Sequence, residues 1–183
     1  WDYMPYGPFL SASAYHRWAK DTATGTDPLF YVIRQKDTGH CGGVASYLRI
    51  TPDHGTIEVG HICLSPALQR SRAATEAMYL MMDWAFSNGY RRYEWKCNAL
   101  NLPSRRAAQR LGFSFEGIFR QHMIIKGRNR DSAWFAITDQ DWPALREAYA
   151  AWLNPANFDA QGRQRERLSD LTNLVRVSDD PGL

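Results

Sequence analysis

At 183 residues and 44% hydrophobic content, the chain is long enough for one domain with a substantial buried core. Its 22 basic and 19 acidic residues leave a formal net charge of +3, too small a surplus to require nucleic acid as a partner. No apolar run approaches the roughly 20 residues of a membrane span, and Cys41, Cys63 and Cys97 are odd in number with no metal or disulfide spacing, so a soluble protein of the reducing cytoplasm is expected.

The opening stretch from Trp1 to Phe9 is aromatic and turn-rich, a packed loop ahead of a helix over residues 13–20 capped by Ser11 or Ser13. Residues 29–34 have the composition of a strand, Asp37-Thr38-Gly39 that of its turn, and residues 41–50 that of the returning strand. After a further turn at 51–55, residues 56–64 complete a three-stranded meander. From 73 to 88 the apolar positions Ala74, Ala77, Met78, Met81, Trp84 and Ala85 recur at helical spacing, and Asn88-Gly89 stops the run. Residues 92–98 form a strand, and 103–111 a helix opened by Pro103 and closed by Gly112. Two strands, near 115–125 and 132–138, flank the polar turn 127–130, and 139–153 is a helix with Asp141 before Trp142-Pro143. The Arg/Glu-rich stretch at 163–171 has the look of a helix for docking on a partner subunit, which allows a homodimer. This order predicts a mixed α/β domain over 1–153 with a parallel strand pair at its centre, followed by a C-terminal extension over 154–183.

The turn after residue 64 carries the strongest chemical signal. Its sequence, Ser65 to Thr75, joins a strand to a helix, so the backbone N–H groups of Arg70, Ser71, Arg72, Ala73, Ala74 and Thr75 gather at the positive end of a helix dipole, where an anion belongs. Within it, Gln69 and Ala74 fit the first and last positions of Gln/Arg-x-x-Gly-x-Gly/Ala, and the stretch resembles the acyl-CoA motif of the GNAT superfamily of N-acetyltransferases. Arg72 stands where that motif has a glycine, and its guanidinium is expected to grip phosphate in compensation. A second block, Asn101-x-x-Ser104 through Leu111-Gly112-Phe113 to Glu116-Gly117, is similar to the RimJ/RimL-type branch of that superfamily, as is Gly127-Arg128-Asn129-Arg130-Asp131.

The resemblance implies a mostly antiparallel sheet with a splayed central parallel pair and helices on both faces. It implies an N-acetyltransferase that moves an acetyl group from acetyl-CoA to a primary amine by direct attack, the acceptor being a protein or peptide N-terminus or a small-molecule amine. A non-catalytic acyl-CoA-binding regulatory domain is the alternative, supported by the missing glycine. Members of the superfamily open with a strand and a helix before the point that matches Trp1. By the same resemblance, backbone around Ile62, Cys63 and Leu64 would hold the pantetheine arm, and Asn101, Ser104 and Arg105 would complete the coenzyme site.

Three groups compete for proton transfer. Glu58, eleven residues before Gln69, matches the strand glutamate that serves as base in GNAT histone acetyltransferases, and a carboxylate in an apolar cleft can accept a proton. His61 titrates near neutrality unaided, but strand alternation puts it on the opposite face from Glu58, where a hydrogen-bonded structural histidine is the first reading; His122, on a late strand, is a weaker candidate. Ser104 is the candidate acid for the leaving thiolate.

Overall fold

The computed structural model describes all 183 residues. In chain order the elements are α1 (Ala12–Thr22), β1 (Leu29–Arg34), β2 (Cys41–Thr51), β3 (Thr56–Leu64), α2 (Arg72–Ser87), β4 (Arg92–Asn98), α3 (Leu102–Arg110), β5 (Ser114–Ile125), β6 (Arg128–Thr138), α4 (Trp142–Leu153) and α5 (Leu168–Thr172). Local chemistry sets the ends. Ser11 caps α1 by accepting the Ala14 N–H at 3.1 Å. Gly89, at φ +84°, closes α2: its own N–H reaches the Phe86 carbonyl at 3.1 Å and that of Tyr90 reaches Ala85 at 3.2 Å.

The strands form one six-stranded sheet in the order β1-β2-β3-β4-β6-β5, antiparallel everywhere except between β3 and β4. That parallel pairing runs from Thr56 opposite Arg92 to Val59 opposite Trp95 and then stops. Beyond it, Gly60 to Leu64 remain paired to β2 alone, so the two central strands splay.

Alternation along β4 separates the two faces of the sheet. Tyr93, Trp95 and Cys97 are buried, while Arg92, Glu94 and Lys96 point the other way. On the first face Tyr93 meets Phe86 of α2 and Phe113, and Trp142 of α4 stacks on Phe86 at 4.9 Å. Tyr93 and Phe113, both fully buried, contribute about 1.5–3 kcal/mol each. On the second face α1 covers the β1–β3 end, where Trp18 meets Phe30 edge-on at 5.8 Å.

The C-terminal stretch departs from expectation. Of the stretch expected to be helical only Leu168–Thr172 is, and it docks on its own chain. Leu168 is fully buried, Leu171 and Val175 pack on the same core, and the Thr172 hydroxyl donates to the Arg110 carbonyl at 3.1 Å. The following residues run along the start of β5, where the Val177 N–H reaches the Ser114 hydroxyl at 3.0 Å and the Ser178 hydroxyl donates to the Phe115 carbonyl. The apolar side chains of this stretch are buried within the chain itself, against α3 and α4.

Candidate active site

The turn after β3 is built to leave donors free. Ser65 O accepts the N–H groups of Leu68 and Gln69, and the Gln69 side-chain amide donates to Leu64 O at 3.0 Å, which ties the turn to the strand end. Arg70 adopts a left-handed φ of +57° and Ser71 caps α2, its hydroxyl accepting from Ala74 N–H at 3.0 Å. Thr75 lies inside, its hydroxyl donating to Ser71 O and accepting from Arg110. The N–H groups of Arg70, Arg72 and Ala73 have no acceptor in the chain. Three open donors at a helix N-terminus fit a pyrophosphate.

Arg72 is not among the groups that would grip it. Its Nη2 donates to Leu153 O at 2.6 Å and its guanidinium lies 4.7 Å from the centre of the Phe158 ring. The side chain caps the C-terminal end of α4 instead of reaching for phosphate, which corrects the expectation of compensation. Arg105 is corrected in the same way. It is buried, paired with Asp180 through Nε at 2.7 Å and Nη2 at 2.5 Å, and its Nη1 donates to Ala99 O. Three of the five N–H hydrogens of that guanidinium are committed to these partners, so turning the group toward a coenzyme would break a buried ion pair.

At the splay, Ile62 and Leu64 turn their side chains to the core while their strand edge has no β4 neighbour, and Cys63 is half-buried between them. Across the gap Asn101 caps α3 by accepting Ser104 N–H at 3.2 Å. Ser104 Oγ accepts from the Trp95 indole N–H at 3.1 Å, which leaves its own proton free to donate.

Glu58, the leading candidate for base, is clamped. It is 3% exposed; both its oxygens accept from Arg49 Nη1, at 2.9 and 2.8 Å, and Lys96 Nζ lies 3.0 Å from Oε2. Lys96 in turn reaches Glu94 at 2.7 Å and sits 3.8 Å over the Trp134 ring. Two cations hold its oxygens, so its geometry is that of a structural carboxylate. Arg49 was missed by sequence reasoning, since alternation along β2 would send it to the other face beside Tyr47. A left-handed φ of +48° turns it over, and the Asp27 carboxylate holds that bulge by accepting the N–H groups of Arg49 and Ile50 at 2.9 and 3.0 Å.

A second bulge corrects the placement of His61. Ser46 pairs with Gly60 and Val44 with Cys63, so His61 and Ile62 together oppose Ala45, with His61 at φ +52°. The inserted residue breaks alternation and brings His61 onto the same face as Glu58. Its ring stacks on Tyr6 at 5.5 Å and meets Phe30 edge-on at 5.1 Å. Nδ1 is enclosed and has no hydrogen-bond partner, contrary to the expectation of a hydrogen-bonded histidine. Burial lowers its pKa below the ordinary histidine value, and the Arg49 charge lowers it further, so the imidazole is neutral at pH 7. His122, by contrast, is exposed and its Nδ1 lies 2.9 Å from Ser132 Oγ.

The N-terminal segment closes this region. Tyr6, Phe9 and Trp18 pack together with centroids 4.3 to 6.4 Å apart, Lys126 Nζ donates to Trp1 O and Tyr6 O, and the Tyr3 hydroxyl donates to Leu100 O. The segment thus bridges from β1 to the β5–β6 turn and the β4–α3 loop, across the open end of the parallel pair.

No curated relative matches the chain. Among solved structures, a GCN5-related N-acetyltransferase from Brucella melitensis is 46% identical, covering 94% of this chain and 78% of its own, with a TM-score of 0.91. A GNAT-family acetyltransferase from Chromobacterium violaceum is 44% identical over 79% of this chain and 73% of its own, with a TM-score of 0.74. Mutant forms of the spermidine/spermine N-acetyltransferase of Vibrio cholerae share the fold at 17% identity, with a TM-score of 0.59 over 77% of this chain and 84% of that one. The acetyltransferase (GNAT) domain matches residues 1–114, and the chain is therefore a member of the GNAT family of N-acetyltransferases, enzymes that pass an acetyl group to an amine.

Proposed function

We propose that this chain acetylates a primary amine from acetyl-CoA in a ternary complex, with His61 accepting the amine proton and Ser104 donating to the departing sulfur. The observation that carries this reading is the bulge at His61, which sets an unpartnered, neutral imidazole beside the open end of the parallel pair. The open N–H groups of Arg70, Arg72 and Ala73 would hold the pyrophosphate, and the freed edge of β3 from Gly60 to Leu64 would bind the pantetheine amides. Bound there, acetyl-CoA would supply the acetyl group as a thioester. As a neutral imidazole His61 has one ring nitrogen without a proton, and that nitrogen can take one from an ammonium acceptor, directly or through water. Ser104 is oriented by Trp95, its lone pair occupied and its proton available. Asn101 fixes the start of α3 and with it the position of Ser104.

The reading of a non-catalytic acyl-CoA-binding domain loses its main support, because Arg72 folds away over Leu153 and does not fill the space of the absent glycine. Likeness of the Asn101–Ser104 block to the RimJ/RimL-type branch favours a peptide α-amine, which is partly neutral near pH 8 where lysine is not. The three free cysteines suit work in a reducing cytoplasm, and no helix is long and apolar enough to cross a membrane. Thiol release from acetyl-CoA over peptides, amino acids, polyamines and aminoglycosides tests the proposal. Turnover with at least one amine class, reduced about 10²-fold in His61→Phe, is expected; coenzyme binding with no acetylation of any amine would return the regulatory reading.

A further inference from the structure

On the second face of the sheet the charges form a nearly closed ledger. Arg49 and Lys96 are answered by Glu58, Lys96 and Arg92 by Glu94, and Arg92 also by Glu116. Among the cations of this face that are not exposed, one is left over. Arg130, half-buried on β6, has no carboxylate within ion-pair distance, and its only hydrogen bond is from Nε to Ser132 Oγ at 3.2 Å. A half-buried guanidinium with its outer fork unanswered is costly to keep.

Its surroundings place it at the acceptor end of the site. Ser132 is paired opposite Asn98, the last residue of β4, so Arg130 lies just beyond the point where the central strands have opened. Ser132 Oγ is shared with His122 Nδ1 at 2.9 Å, and a cleft beside it is lined by Phe119, Arg120, Gln121 and His122. The cleft exists because β5 bulges there, with Gln121 at φ +50° and its N–H held by Asp131 Oδ1 at 2.7 Å. Phe119 lies 4.5 Å from Trp134, the ring under Lys96, so the cleft and the ion-pair chain are continuous. The local field is positive: loss of hydration lowers the His122 pKa first, then Arg130, Arg49 and Lys96 lower it, and Glu58 alone opposes them. For Arg130 itself, burial is the largest cause of a lowered pKa.

We infer that the amine acceptor of this enzyme carries a carboxylate, seated on the open fork of Arg130 beside the Phe119–His122 cleft. This rests on the transferase reading above and adds the substrate class. Guanidinium meets carboxylate in a planar, two-bond geometry, whereas a polyamine or aminoglycoside would bring further positive charge to a site already in surplus. The carboxylate can come from a free amino acid or from an acidic residue near a peptide N-terminus, and both present the same group.

Matched probes decide it: methionine against methioninamide for the free amino acid, and Asp-Ala-amide against Asn-Ala-amide for the peptide. Each pair is compared by kcat/KM with acetyl-CoA and, separately, by calorimetric binding to the coenzyme A-loaded protein. We expect at least one carboxylate probe to exceed its uncharged partner by 10-fold or more. That ratio should collapse toward one in Arg130→Gln and recover in part in Arg130→Lys, with KM carrying the change. Coenzyme A binding by each variant reports that it is folded. Equal binding of both members of both pairs, or preference for spermidine over all four, overturns the inference. Binding preference retained without any acetyl transfer would unseat the transferase reading and leave the anion seat standing.

Discussion

The two sides of the open strand pair solve different problems with different materials. The side proposed for the coenzyme is made of backbone: an unpaired strand edge, a turn tied by Gln69 and Ser71, and open N–H groups at the start of α2. The side proposed for the acceptor is made of side chains, placed by two left-handed bulges at Arg49 and His61 and roofed by the aromatic N-terminal segment. Backbone donors do not depend on which side chain the residue carries, which is why Arg72 can replace a glycine once its own side chain is drawn away. Side-chain sites have no such tolerance. Substitutions should therefore damage chemistry on the acceptor side, and on the coenzyme side should act mainly through the scaffold.

The largest effect expected is on that scaffold. Asp180→Ala leaves Arg105 buried without its partner and should cost about 3–5 kcal/mol of stability, read by chemical denaturation. A loss below about 1 kcal/mol would mean that the C-terminal stretch merely rests on α3, since the unpaired buried charge makes any firmly docked tail expensive to disturb.

On the acceptor side, His61→Phe keeps the ring between Tyr6 and Phe30 but removes the proton acceptor. Turnover should fall about 10²-fold with coenzyme A affinity unchanged. Because burial holds the His61 pKa below the ordinary value of about 6.5, the wild-type rate should stay on its plateau through that pH and decline only at lower pH. Stability follows the same sign. Above pH 6.5 both folded and unfolded states leave this imidazole neutral; as pH falls, the unfolded chain takes the proton first, so stability is lost on acidification. His61→Phe should flatten that part of the stability curve, and an unaltered curve would show that the imidazole is not enclosed.

Glu58→Gln sharpens the comparison by separating charge from chemistry. It strips Arg49 and Lys96 of a shared partner, so stability should drop by about 1–3 kcal/mol while turnover stays within about tenfold of wild type. A loss of 10²-fold or more in turnover at unchanged stability would restore Glu58 as the base.

The framework of this protein was legible from its periodicity. The strand at 92–98 and the helix closed by Asn88-Gly89 fall where the pattern put them, because alternation and the C-terminal glycine are local signals. The parallel pair followed from element order. The acceptor side was not legible for a physical reason: Arg49 and His61 owe their facing to left-handed backbone that neither residue type advertises, and each bulge reverses what strict alternation predicts. Arg105 and Arg72 misled differently. Their partners, Asp180 and Leu153, lie 75 and 81 residues away, and no local pattern reports so distant an acceptor.

The smallest effect should come from Arg72, and it tests whether the coenzyme side is as indifferent to side chains as its geometry implies. The guanidinium is exposed, donates once to the Leu153 carbonyl at the end of α4, and rests over Phe158 at 4.7 Å. An exposed contact of that kind contributes about 0.5–1 kcal/mol. Arg72→Ala should lower stability by that much, with coenzyme A affinity changed less than about threefold, since the N–H of residue 72 stays in place. Arg72→Gly should cost more stability, about 1 kcal/mol further, because glycine weakens the first turn of α2. A tenfold loss of coenzyme A affinity in Arg72→Ala, reversed in Arg72→Lys, would mean that the side chain swings back to the phosphates on binding, and the contrast between a backbone site and a side-chain site would no longer hold on this side of the strand pair.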